Sequence, residues 1–121
     1  MRGAAYYTRE VAEDPVLDAL EDLVRALEAN RERIDATIER AAAMRRLRQE
    51  GRSYREIETG VTGPLIVELT RDNLATLIDA GSKLRKAEAR ALHDEGLTME
   101  QIAELFGVTR QRVSALLRGE R

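Results

Sequence analysis

Between Val16 and Glu50 the chain has neither glycine nor proline, and its apolar residues recur with the period of an α-helix. Leu20, Leu27, Ile34 and Ala41 stand seven residues apart. Leu23, Asn30, Thr37 and Met44 follow three residues after each, and Leu17, Val24 and Ile38 widen the stripe. Asp14 suits the cap, and Pro15 suits the first helical position, where a missing N–H costs nothing. The pattern predicts one long helix over residues 14–50, on the order of 50 Å if unbroken. So small a chain cannot cover that length with its remaining residues. The segment therefore either pairs with a second copy as a coiled coil or breaks near Asn30 and folds back as a hairpin. Asn30 at a seam position fits both, as a register-setting residue or as the break. Dimerisation through residues 14–50 is the preferred reading.

A tighter pattern occupies residues 98–118, TMEQIAELFGVTRQRVSALLR. Thr98 and Gln101 make a capping box, and Ile102, Ala103, Leu105 and Phe106 follow at helical spacing. Gly107 then ends the helix, because the left-handed turn position suits a residue without Cβ. Thr109 caps a second helix with Val113, Leu116 and Leu117 on its inner face, and Gly119 stops it. The small Ala103 stands where the two helices cross. Two short helices joined by a tight turn are the arrangement that inserts a helix into the major groove of DNA. Arg110, Gln111, Arg112, Ser114 and Arg118 are left pointing outward.

Residues 45–57, RRLRQEGRSYREI, repeat the pattern of residues 90–102, RALHDEGLTMEQI, with the Glu-Gly pair, the cap and the isoleucine in register. Ser53 and Glu56 take the parts of Thr98 and Gln101. After a two-residue gap, Gly60-Val61-Thr62 aligns with Gly107-Val108-Thr109. This first copy is degenerate. Glu58 replaces Ala103, its first helix is shorter, and Gly63-Pro64-Leu65 stands where the second copy has Arg110-Gln111-Arg112. It is read as structural or as a protein-binding element. Beyond it, Asp72 or Asn73 caps a short helix through Ala80, Gly81-Ser82 forms a joint, and another helix runs from Lys83 to about Glu95.

The C-terminal motif resembles the helix-turn-helix of bacterial transcription regulators, and most of all the promoter-reading C-terminal domain of primary sigma factors. Thr98, Glu100, Gln101, Ile102, Phe106, Gly107, Val108, Thr109, Arg110, Arg112 and Val113 carry the resemblance, which covers about the last forty residues. It implies a double-stranded DNA partner. The N-terminal end of the second helix would then face the groove, with Thr109 and the first-turn N–H groups against a phosphate. Arg110 and Arg112 have the planar fork that grips guanine O6 and N7, Gln111 can pair with adenine, and Ser114 can reach a base edge or a phosphate. Thr98, Arg118 and Arg121, with Lys83, Arg85 and Lys86 on the preceding helix, are candidates for phosphates, which position the protein without specifying sequence.

Charge sharpens this picture. The chain of 121 residues has a net charge of −2, yet residues 82–121 hold 8 basic and 6 acidic side chains, and residues 1–81 hold 12 and 16. Positive charge is therefore concentrated on the half with the motif. Aromatic residues are only 3%, so the core is built from Leu, Ile, Val and Ala. There is no cysteine, which removes disulfides and thiolate chemistry and fits a cytoplasmic, nucleoid-bound protein. No apolar run is long enough for a signal peptide or a membrane span. His93 is the one histidine, and no phosphate loop or supported nucleophile is present, so neither catalysis nor a cofactor is expected.

The fold class expected is all-α. A tail (1–13) and a long helix (14–50) precede the degenerate helix-turn-helix and joint (51–81) and the DNA-binding unit (82–121). The function expected is a homodimeric, sequence-specific regulator of transcription with no evident ligand pocket. A nucleoid-architectural protein and an adaptor binding a protein partner through the N-terminal helix are the rivals.

Overall fold

A computed structural model describes residues 14–120. The tail assigned to residues 1–13 and the phosphate candidate Arg121 lie outside the described residues. The fold is all-α: α1 Pro15–Gln49, α2 Tyr54–Thr59, α3 Ile66–Asp94, α4 Met99–Phe106 and α5 Arg110–Leu117, with no strand among the described residues. The described chain forms two compact units, residues 25–78 and residues 14–24 with 79–120.

The ends of α1 follow their local signals. Asp14 Oδ1 accepts from the N–H of Val16 at 2.9 Å, and at the far end Gly51, at φ 94°, lets the Arg52 N–H reach the Leu47 carbonyl at 3.1 Å. The helix runs through Asn30 without a break, so the hairpin alternative within residues 14–50 is excluded.

In the unit of residues 25–78, α1 and α3 run antiparallel. Arg33 Nε donates to Asn73 Oδ1 at 2.7 Å, while Arg40, further along α1, donates to the carbonyls of Pro64 and of Thr62, the latter at 3.1 Å. Asn30 and Asn73 are both buried. The continuous apolar stripe read from the sequence is thus two neighbouring stripes. Asn30, Thr37 and Met44 turn inward, whereas Leu27, Ile34 and Ile38 remain 48%, 45% and 61% exposed. Asn30 is buried within its own chain and does not lie on the exposed stripe. Its Oδ1 has no hydrogen-bond partner among the described residues. The near-isosteric Asn30→Leu is therefore expected to raise stability by about 1–2 kcal/mol, since an unpaired buried carbonyl is replaced by an apolar group. A urea melt that shifts to lower midpoint would contradict this.

The helix α2 begins with the capping box anticipated at Ser53 and Glu56. Glu56 N–H donates to Ser53 Oγ at 3.1 Å, and Ser53 N–H donates to Glu56 Oε1 at 3.3 Å. The Ser53 hydroxyl also donates to that carboxylate at 3.0 Å. These Ser53 hydrogen bonds, aided by Arg52 nearby, hold the Glu56 carboxyl below the ordinary glutamate range. The cap's contribution is therefore present above that range and is lost as pH falls through the lowered value. A carboxyl NMR titration should place the Glu56 midpoint below that of a free glutamate, and Ser53→Ala should raise it part of the way back, since the backbone N–H at position 53 and Arg52 still favour the carboxylate.

After α2 the resemblance between the two copies ends. Gly60 stays right-handed at φ −82°, whereas its counterpart Gly107 is left-handed at φ 68°. Pro64 disfavours helical geometry at Gly63, so the next helix starts only at Ile66. That helix is 29 residues long and passes through the anticipated Gly81-Ser82 joint. The two expected helices are one because Leu77, Ala80, Leu84, Ala87 and Ala91 keep one helical phase across the joint, Ala80 buried and the other four half-buried. An internal glycine costs only about 1 kcal/mol against such burial. Among the described residues four helices follow α1. A cleft of about 610 Å³, with Ala43, Met44, Leu47, Ile57, Val61 and Leu65 among its walls, also lies in this unit, where the sequence had shown no pocket.

Candidate nucleic-acid interface

The second unit is organised around α4 and α5. Thr98 caps α4 with the full box: Gln101 N–H donates to Thr98 Oγ1 at 3.1 Å, and Thr98 N–H donates to Gln101 Oε1 at 2.8 Å. Gly107 takes the left-handed turn, which brings the Val108 N–H back to the Ala103 carbonyl at 3.0 Å. Two residues later Thr109 starts α5 by accepting the Arg112 N–H at 3.1 Å. The turn is short because one glycine closes the first helix and one threonine opens the next.

Ile102 and Val113 are fully enclosed, Ala103 is buried beside them, and Leu92, Leu97, Met99, Phe106 and Leu117 complete the cluster. Leu92 comes from α3, so three helices share one core. Leu116 is buried as expected, but Leu105 is 65% exposed and contributes no core, although the sequence placed it with its neighbours. Gly96, at φ 105°, ends α3 and lets Leu97 N–H bond the Leu92 carbonyl at 3.0 Å.

This packing leaves the first turn of α5 on the surface. Arg110, Gln111 and Arg112 are consecutive and exposed. Arg110 Nε pairs with Glu100 Oε1 at 3.0 Å, a contact from α5 to the first turn of α4 that the sequence did not reveal. An exposed pair of this kind is worth only about 0–1 kcal/mol. It engages Nε, so the terminal Nη groups are those that would meet a guanine edge. Ser114 is half-buried and accepts from Arg118 Nη1 at 2.7 Å, while Arg118 Nη2 pairs with Glu120 at 2.9 Å. Ser114 and Arg118 are thus engaged with each other.

The remaining phosphate candidates separate. The Arg85 guanidinium lies 4.2 Å over the Phe106 ring and so packs on the helix-turn-helix core. Lys83 is exposed and Lys86 half-buried. Thr98 and Thr109 have their hydroxyl oxygens occupied as caps. Arg90, not singled out from the sequence, donates from Nη2 to the Leu117 carbonyl at 2.6 Å and so satisfies the end of α5. Its position about two turns before the motif held no signal that it would reach that carbonyl.

Among the described residues, no group of three or more His, Asp or Glu side chains is placed to hold a metal ion, and no helix is long and apolar enough to cross a membrane. Comparison with protein-family models, curated proteins and solved structures finds no match to this chain. The interface therefore rests on its own geometry.

Proposed function

We propose that the chain is a sequence-specific double-stranded DNA-binding protein that regulates transcription, with α5 as its recognition helix. One observation carries the reading. A capped helix, seated by Val113 and Leu116 on a shared core, presents Arg110, Gln111 and Arg112 together on its exposed first turn. A major groove admits a helix of this width, and these side chains carry the donors and acceptor that read guanine and adenine. The first-turn N–H groups of α5 add a partial positive charge suited to a phosphate. The acidic balance of the whole chain disfavours a coating mode driven by phosphate neutralisation alone.

Selection and sequencing of random duplexes retained by the protein at near-physiological salt tests the proposal. An enriched motif supports sequence reading through α5. Retention without enrichment points to architectural binding through phosphates, and no retention even at low salt overturns the DNA reading.

A further inference from the structure

We propose that the face formed by Leu27, Ile34 and Ile38 of α1 with Val67, Leu74 and Ile78 of α3 docks a second copy of this chain. All six belong to the unit of residues 25–78, and each is between 45% and 68% exposed. Their arrangement follows from the antiparallel pairing that Arg33–Asn73 and Arg40–Thr62 define. Successive helical residues turn by about 100°. On α1 the exposed stripe lies to one rotational side of the inward line of Asn30, Arg33 and Thr37. On α3 the exposed stripe lies to the same rotational side of Leu69, Asn73 and Leu77. In an antiparallel pair, equal offsets bring both stripes to one face. The Arg33–Asn73 register sets Ile38 near the level of Val67, and Leu27 near that of Ile78.

The size of the face decides its occupant. The exposed parts of these six residues amount to at most roughly 600 Å² per copy. A standard interface buries ~800 Å² per partner, of which about two-thirds is apolar in homodimers. The face thus supplies what a stable dimer needs, and two such hairpins laid face to face form a four-helix bundle. Its border has Glu28 and Asp35 exposed with Arg31 and Arg71. That mixed border suits a copy of the same surface and lacks the basic rim that an anionic membrane would need. The inference stands apart from DNA binding, since no residue of α4 or α5 takes part.

Sedimentation of the full chain at concentrations on the order of 10–100 μM should give about twice the 13.6 kDa chain mass. The double variant Ile38→Glu, Leu74→Glu should weaken self-association on the order of 100-fold while keeping its helical circular dichroism. A wild-type chain that stays monomeric, or a folded variant that still dimerises fully, overturns the proposal. Should the variant fail to fold, a spin label on Asp35→Cys decides, because the chain has no cysteine of its own. A short, defined intermolecular distance supports the face, and its absence overturns it.

Discussion

Replacing Arg110 and Arg112 together by alanine is expected to abolish discrimination between a selected duplex and a scrambled one. Each arginine that grips a base is worth about 1–3 kcal/mol, so the pair accounts for most of the preference that a single short helix can express. Neither side chain contributes to the core: Arg110 and Arg112 are exposed, and the buried face of α5 is Val113 and Leu116. The variant should therefore stay within about 1 kcal/mol of the parent chain's stability, the exposed Arg110–Glu100 pair included. Fluorescence anisotropy at fixed salt, with both duplexes, reads the result. Equal weakening on the two duplexes would move both arginines from bases to phosphates. Unchanged binding to both would remove α5 from the interface altogether. Glu100→Gln is an informative companion, because it releases Arg110 from the 3.0 Å pair without touching the helix.

The other large effect is expected in stability. Ile102 is fully enclosed between α4 and its neighbours, so Ile102→Ala should cost about 2–5 kcal/mol through lost burial and the cavity left behind. Whole domains are stable by only about 5–15 kcal/mol, so the loss should leave the helix-turn-helix open for much of the time. Hydrogen exchange would show it as lost protection across residues 98–118, and DNA affinity would fall with it. Leu105→Ala, on the same helix, changes a side chain that is 65% exposed and should stay within about 0.5 kcal/mol. Similar losses from both substitutions would mean that Ile102 is not the centre of this core.

The contrast between Ile102 and Leu105 also shows where sequence reasoning stops. Both are apolar and only three residues apart, and a period of 3.6 does not say how wide the buried stripe is. The same ambiguity governs α1, where the two apolar stripes differ only slightly in helical phase. Nothing along that helix says that Asn30 and Met44 turn inward while Leu27 and Ile34 stay outside. The antiparallel neighbour settles it, through residues some forty positions away.

What the sequence by itself determined was everything whose partners lie within one turn of the chain. The caps at Asp14, Ser53, Thr98 and Thr109, the left-handed stop at Gly107 and the all-α class needed no knowledge of distant residues, because their hydrogen bonds close within five positions. Tertiary structure alone decided the rest. It carried α3 through Gly81-Ser82, where burial outweighs the cost of an internal glycine. It seated Arg85 on Phe106, Arg90 on the Leu117 carbonyl and Arg110 on Glu100. Long charged side chains have many rotamers of similar energy, so their partners are chosen by whichever groups the packed helices bring within reach.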